Sequence, residues 1–510
     1  MGGSRRFVLA LVLVYAGWVV ARAWLSDDAY ITFRVLDHFH QGLGLRWNPA
    51  ERVQAFTHPL WAALVAVFSA PTGEFFFTTL FVSLLCSVGA VSILALGIAR
   101  TPQAALVVLA PVLLSTAFVD YSTSGLENPL THLLLAVFFL LFFRSSESSR
   151  DVFWLTLAAS GVLLTRLDAG LLVLPALFLA LVSSGLRKTW VAVLLGGLPV
   201  VAWEFFSLVY YGFLFPNTAY AKLGTGIASS ELVRQGFFYL GDSLVRDPVT
   251  LVTVAFALLS AAWYPDRKRW ALALGIGLEL VYVVTIGGDF MTGRFLTAAF
   301  FASVILLARF PSSTGWWGVG LAWGLAAALV LLADPRPTQR PHGIADERSF
   351  YAPHTHLLPV LRGEVRVEDH PFAKRGQEAR ETQLGHGGSE AIGLAGFYAG
   401  PAVHIVDTVG LADPLLARLP MKPGPWRVGH FERELPAGYV ACLRTGTNQI
   451  EDPDLARYYE ALVLATRGSL LDGERWRAIG RLHSSWGRER LEAWQRRRES
   501  SETAPTRVSR

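Results

Sequence analysis

Ser26-Asp27-Asp28-Ala29-Tyr30-Ile31-Thr32-Phe33-Arg34 follows directly on the first apolar segment and opens a polar excursion running to about His58. Two adjacent carboxylates emerge where an apolar helix must leave hydrocarbon, so they sit at a membrane surface, where an acid is hydrated enough to ionise. A lipid head group lies at that same depth. A plainer reading makes Ser26 the N-cap of a helix over about Ala29 to Gln41, with Asp27 and Asp28 favoured in its first turn by a few tenths to about 1 kcal/mol. Tyr30, Phe33, Leu36 and His40 form an aromatic face, followed by a Gly42-Leu43-Gly44 stop and the turn Trp47-Asn48-Pro49, a pattern suited to lying in the interface. Neighbouring helical residues point about 100° apart, so only one of the two acids faces a given reacting group.

The rest of the chain agrees with a membrane setting. Its 510 residues are 52% hydrophobic and 17% charged, which excludes an ordinary soluble protein and fits a polytopic membrane protein. The net charge of +5 includes a basic end from Arg496 to Arg510. That end reads as a solvated, disordered tail; no aromatic-interleaved basic surface accompanies it, so nucleic acid is not an expected partner. Cys86 lies in an apolar run and Cys442 in the C-terminal part, and no disulfide framework follows.

Residues 7–25 form the first span, and Arg5-Arg6 places the N-terminus in the cytoplasm. Ala21-Arg22-Ala23 resembles a signal-peptidase site, but an uncleaved first helix is the favoured reading. Further apolar runs lie at about 59–71, 75–99, 103–119, 129–143, 152–167, 169–184, 189–210, 248–264, 270–286, 295–309 and 316–333. Arg144 to Arg150, Arg187-Lys188, Arg267-Lys268-Arg269 and Arg309 sort to the inside, which leaves the first loop, residues 211–247, the Gly287 to Arg294 turn and everything after 333 outside. That sidedness needs an odd number of spans between the first loop and Arg144. The run from Pro59 to Pro71 is too short to cross about 30 Å of hydrocarbon as a helix, so it is expected to be half-embedded. About eleven spans remain.

The outer face then collects Arg46, Asn48, Glu51, His58, Asp120, Glu127, Arg166, Asp168, Asn217, Lys222, Asp289 and Arg294 beside the two acids. A charge at the bilayer centre costs about 2.5–3.5 kcal/mol, so these groups are expected at helix ends around one interfacial cavity. A transporter would place them near the midplane on broken helices in two similar halves, and no such repeat is seen. Three regions follow: a transmembrane part over 1–333 with its first outer loop at 26–58, a C-terminal soluble domain of mixed α/β type over 334–495, and the tail 496–510. Within the second, a strand is expected at Val403–Val406 and amphipathic helices at about 454–466 and 473–482. His354, His356 and His370 lack the spacing of a metal site and read as solvated loop histidines.

The blocks Asp27-Asp28-Ala29-Tyr30-Ile31-Thr32-Phe33-Arg34, Gly42-x-Gly44-Leu45-x-Trp47-Asn48-Pro49-x-Glu51-Arg52-Val53 and Thr57-His58-Pro59-Leu60-Trp61 resemble the membrane-embedded GT-C glycosyltransferases, above all the mycobacterial terminal β-(1→2)-arabinofuranosyltransferase family and its relatives in other bacteria. More distantly, the layout is similar to the lipid A aminoarabinose transferase and the protein O-mannosyltransferases. The resemblance extends through Thr123-Ser124-Gly125-Leu126-Glu127, Thr165-Arg166-Leu167-Asp168, Pro216-Asn217-Thr218-x-Tyr220-Ala221-Lys222, Gly287-Gly288-Asp289-Phe290-Met291-x-Gly293-Arg294 and Asp407-x-x-Gly410-Leu411-x-Asp413-Pro414. Each block alone is weak; as a set they are fairly specific.

The resemblance implies an inner-membrane enzyme that moves a sugar from a polyprenyl-phosphate donor to an acceptor hydroxyl of an envelope glycan or glycolipid at the outer face. It implies Asp27, the first acid, as the base that takes the acceptor proton, with Asp28 as the alternative or as a partner orienting Arg34 or an optional divalent cation. No cofactor is demanded. Lys222 and Arg294 are assigned to the donor phosphate, and Arg34, Trp47, Asn48, His58, Glu127, Arg166, Asp168, Asn217, Tyr220 and Asp289 to the substrates. Each has a structural alternative: Lys222 and Arg294 as head-group anchors, Glu127, Arg166 and Asp168 as an ion network, Asn217 and Asp413 as turn or cap residues, Trp47 as part of an interfacial belt. A carrier of lipid-linked sugars, or a non-catalytic glycan-binding relative, would share the cations without needing a base.

Overall fold

The computed structural model describes residues 2–263, 266–309, 323–324, 342–382, 385–387 and 391–503. The expected run at 316–333 and the boundary at 334 lie outside the described residues, except for 323–324. The first half is helical throughout: α1 Gly2–Arg22, α2 Asp27–His40, α3 Pro59–Ser69, α4 Phe76–Ile93 with a π turn Leu94–Ile98, α5 Pro102–Leu114, α6 Thr116–Asp120, α7 Asn128–Arg144, α8 Ser149–Thr165, α9 Gly170–Ser184, α10 Leu186–Tyr211, α11 Asn217–Leu223, α12 Ser229–Arg246, α13 Pro248–Trp263, α14 Arg267–Thr285 and α15 Leu296–Ala308. Local chemistry sets many of these ends. The Thr101 hydroxyl accepts the Ala104 amide ahead of Pro102, Ser148 and Asp151 form a capping box, and Gly212 closes α10 in the left-handed region at φ 83°.

Two described helices, Phe76–Ile98 and Leu186–Tyr211, are long and apolar enough to cross a membrane, or up to four spans when two bent pairs are each counted once. Pro59–Ser69, Pro102–Leu114, Asn128–Arg144, Gly170–Ser184 and Leu296–Ala308 are apolar but shorter. Every residue of α15 is buried, as expected of a helix apolar all round, and its Phe300 and Phe301 share one core with Phe118 and Phe138. The bend that positions the acids is the first one, where α2 turns 85° from α1.

The described C-terminal residues carry α16 Glu347–Thr355, α17 Leu357–Leu361, α18 Pro371–Thr382, α19 Gly393–Ala399, α20 Tyr439–Thr445, α21 Pro453–Arg467, α22 Gly473–Leu482 and α23 Ser485–Thr503. Among the described residues the sheet is a single parallel pair, β1 Gly385–Gly387 on β2 Ile405–Asp407. Its strand content is therefore slight for the mixed domain that was expected. Leu394, Ala399, Val403 and Ile405 share one core with Trp24, Tyr30, Phe33 and Trp47, so this segment is packed onto α2. The backbone carbonyls of Ala21, Arg22 and Ala23 accept His356 Nε2, Arg348 Nε and the Leu357 amide. The expected disorder from 496 is corrected for the described part: α23 runs to Thr503, and Arg497 pairs with Asp452 at 2.7 Å and Asp454 at 2.6 Å.

Candidate functional site

At the elbow after α1, the Ser26 amide donates to the Ser124 carbonyl at 2.9 Å, while its side chain caps nothing. The helix nevertheless starts at Asp27, so both acids occupy its first turn and diverge. Asp27 turns inward, 5% exposed, and its two oxygens accept the Gly393 and Leu394 amides at 2.9 and 2.8 Å. Two turns on, the buried Arg34 donates to Trp47 O at 2.8 Å, Gly400 O at 3.1 Å and Val403 O at 2.7 Å, and also to Gly396 O. A carboxylate thus holds the positive end of α19 and a guanidinium its negative end, as the helix dipole favours. Burial pushes the Asp27 carboxyl up to about 7, with the neighbouring Asp28 adding to the rise against the two amides.

Asp28 points the other way. Its side chain is 31% exposed and lies 3.9 Å from Arg294 Nη1. Arg294 also meets Glu127 at 3.1 Å and Asp289 at 3.6 Å. Glu127 in turn faces His58 at 3.4 Å and Arg166 at 3.9 Å; Arg166 pairs with Asp168, and His58 bonds Thr32 Oγ1 at 2.9 Å. Burial raises the Asp28 carboxyl from its ordinary value against the pull of Arg294 and Lys222. Burial also acts to raise Glu127, but Arg294, His58 and Arg166 outweigh it and hold that carboxyl down at about 2. Arg294 is carried by the turn after α14, where Gly288 has φ 72° and a Cβ would fall 2.4 Å from the Tyr239 ring.

Lys222, in the last turn of α11, is exposed and makes no hydrogen bond or ion pair among the described residues, yet its charge is felt by Asp28. Glu347, its partner Arg427 and Tyr351, all missed in the sequence, complete the surround. Glu347 on α16 is 8% exposed, 3.4 Å from Arg427, and burial raises it to about 8 against that arginine, with Asp28, Asp27 and Asp289 adding to the rise. Burial likewise raises the Tyr351 phenol, with Asp27, Glu347 and Asp28 adding. No local pattern marks these residues; only the packing of α16 against the elbow brings them in.

The polar residues expected around one interfacial cavity are not all brought together. Trp47 is fully buried beneath the Arg34 guanidinium, 4.9 Å from its ring, rather than in an interfacial belt or open to a sugar. Asn48 is spent on Ile405, donating to its carbonyl at 3.0 Å and accepting its amide at 3.1 Å. Asn217 donates to Gly410 O and Asp413 O, both at 2.9 Å, and accepts Arg418 at 3.0 Å; Tyr220 stacks on that arginine at 4.3 Å. Glu51 pairs with Arg467 at 3.1 Å, and Asp120 with Arg22 at 2.8 Å. Asp413 caps Leu415 and Leu416 and accepts Tyr439 Oη. Of these, Asn48, Asn217 and Glu51 fasten the C-terminal segment to the bundle, over separations of 357, 193 and 416 residues. His370 is also a correction, being buried against Phe350, Tyr351 and Phe372 rather than solvated. Among the described residues no group of three or more His, Cys, Asp or Glu is disposed to hold a metal ion. Asp28, Glu127 and Asp289 surround the Arg294 guanidinium, which takes the place a divalent cation would need, so these residues do not fit a metal.

No family model matches the chain. A curated relative from Mycobacterium tuberculosis, named terminal β-(1→2)-arabinofuranosyltransferase, is 26% identical over 539 aligned positions, covering 85% of this chain and 84% of its own length. The chain is similar to the terminal β-(1→2)-arabinofuranosyltransferases. A second protein of that name, from Corynebacterium glutamicum, is 27% identical over 70% of this chain, which spans 58% of that relative. Among solved structures, the archaeal oligosaccharyltransferase AglB from Archaeoglobus fulgidus, in complex with an inhibitory peptide and a dolichol-phosphate, aligns with a TM-score of 0.43 and 12% identity over 74% of this chain and 58% of that one. The likeness to arabinofuranosyltransferases drawn from the motif blocks thus extends over most of the sequence.

Proposed function

We propose that this protein is a membrane glycosyltransferase that moves arabinofuranose, or another pentose or hexose, from a polyprenyl-phosphate donor to a hydroxyl of an envelope glycan or glycolipid. The observation that carries the proposal is the similarity over 85% of the chain to a terminal arabinofuranosyltransferase. The acid and cation cluster at the first elbow supports it. In this account the protein lies in the bacterial inner membrane with about eleven spans, and the 13- to 17-residue apolar helices cross with the help of their flanking turns. The Pro59–Ser69 helix is half-embedded, the 26–58 loop faces the periplasm, and the residues after 333 form a periplasmic domain that contributes to the acceptor side.

The acceptor hydroxyl, with a pKa far above 7, needs a carboxylate within about 3 Å as it attacks the anomeric carbon. Of the pair, we assign the base to Asp28; its partial exposure supports this, whereas both oxygens of Asp27 are occupied by backbone amides. Asp27 then positions Asp28. The hydroxyl proton passes to Asp28, the oxygen bonds to the anomeric carbon, and the sugar–phosphate bond breaks with its electron pair leaving on phosphate. Such an in-line displacement inverts the centre, and a phosphate leaves without a general acid. Lys222, unspent, draws the donor phosphate; Arg294, balanced by three carboxylates, sets the field around Asp28.

Reconstituted protein supplied with a polyprenyl-phosphate sugar and an acceptor glycan tests this. Native chain and Asp27→Asn are expected to transfer, the latter slowly, with an inverted anomeric signal by NMR, and Asp28→Asn is expected to transfer nothing. Full turnover by Asp28→Asn with none by Asp27→Asn would return the base role to Asp27. Full turnover by the double variant would remove base catalysis altogether.

A further inference from the structure

Helices α9, α13 and α14 leave between them a cleft of about 650 Å³, far from the acids. Pro175, Phe178, Leu258, Trp270, Leu274 and Gly277 are among its walls, and among the described residues Arg267 is the one charged side chain lining it. Along α14 it runs from Arg267 to Gly277, about 15 Å at the helical rise. That is half of the roughly 30 Å hydrocarbon thickness, the depth of one leaflet. The charge at the mouth is specific. Of the three consecutive cations there, Lys268 is spent on Phe142 O at 3.0 Å and Arg269 on Ser260 at 3.1 Å. Arg267 is exposed and makes no hydrogen bond or ion pair among the described residues, and the neighbouring Asp266 carboxylate accepts the Arg269 amide.

We propose that this cleft is a binding site for one anionic glycerophospholipid of the cytoplasmic leaflet, its acyl chain between α9 and α14 and its phosphate on Arg267. Three features favour that occupant: walls apolar for one leaflet's depth, a single unspent guanidinium at the mouth, and Trp270 within one turn of it at head-group depth. The donor belongs elsewhere. The 19 residues of α14 separate the mouth from the Gly287–Arg294 turn by about 28 Å. The inference rests on the orientation proposed above, with Arg267 facing the cytoplasm.

The test is native mass spectrometry of the full chain released from nanodiscs of phosphatidylglycerol and phosphatidylcholine. One retained phosphatidylglycerol is expected, with phosphatidylcholine lost. Arg267→Ala should cut retention about fivefold, and Arg267→Lys should restore most of it. Gly277→Phe should abolish it, since a Cβ at Gly277 meets nothing within 4 Å and the ring can fill the cleft. Equal retention by native chain, Arg267→Ala and Gly277→Phe, retention of phosphatidylcholine as firmly as phosphatidylglycerol, or polyprenyl phosphate in its place would overturn the proposal. Labelling of Arg267→Cys in sealed spheroplasts separates the two claims. Labelling from outside defeats the orientation, whereas inside-only labelling with no retained lipid defeats the site alone.

Discussion

Gly393→Ala is the sharpest perturbation of the elbow, because it adds one methyl group where α19 meets α2. A Cβ there would lie 1.8 Å from the Asp27 carbonyl oxygen and 2.8 Å from its carboxylate. Ordinary contact begins at about 3.5 Å, so α19 must withdraw by well over 1 Å. That lengthens the 2.9 and 2.8 Å amide bonds to Asp27 past useful range. Two hydrogen bonds to a charged group are worth about 1.5–3 kcal/mol each, so the loss is about 3–6 kcal/mol. Asp28 shares the first turn with Asp27, and a displacement of about 1 Å at reacting groups costs on the order of 10²-fold in rate. The assay is initial-rate sugar transfer in vesicles, read beside the melting temperature. Gly473→Ala serves as control, since a Cβ there meets nothing within 4 Å. Gly393→Ala at the native rate and the native melting temperature would refute the claim that α19 holds the acid pair.

Other consequences follow from the same geometry. Arg34→Lys keeps the charge but loses the fork that reaches four carbonyls, and denaturant unfolding should show at least about 2 kcal/mol lost; an unchanged midpoint would contradict this. Glu127→Gln leaves Arg294 and Arg166 buried without their shared carboxylate and should cost about 3–5 kcal/mol, whereas a neutral result would mean the network is dispensable. Because the base must be ionised and burial raises Asp28, kcat/KM should fall as pH drops through a value above the ordinary aspartate's of about 3.9. Lys222 pulls that value down, so Lys222→Ala should move the acid limb to higher pH and raise the donor KM about tenfold; a limb that stays put or moves down would separate Lys222 from Asp28.

Local pattern carried the helices well. The amphipathic stretches read at about 454–466 and 473–482 are helices Pro453–Arg467 and Gly473–Leu482, and the strand read at Val403–Val406 appears at Ile405–Asp407. The acid pair, Glu127, Arg166, Asp168, Asp289 and Arg294 stood out because charges in an apolar chain are costly, and the structure brings Asp28 and these five together. Which acid faces outward was not legible, since it depends on the Gly393 and Leu394 amides, more than 360 residues away. Long separations likewise hid the tasks of Arg34 and Asn48, 369 and 357 residues from their partners, and of Asn217, 196 residues from its own. A polar residue near a membrane surface looks alike in sequence whether it meets a sugar or a distant backbone carbonyl. Glu347, Tyr351 and Arg427 escaped notice for the converse reason: they lie in a polar stretch, where a carboxylate or phenol draws no attention until burial makes it unusual.

The central claim is a sugar transfer that depends on the acid pair. Its most direct measurement compares envelope glycan and glycolipid masses from cells lacking this protein, cells restored with the native chain, and cells restored with the Asp27→Asn, Asp28→Asn double variant at equal membrane abundance. The account predicts that one sugar is missing from the deletion, returns with the native chain, and stays missing with the double variant, its mass naming the sugar. Return of that sugar with the double variant would contradict the account and leave a chain that moves lipid-linked sugar without needing a base.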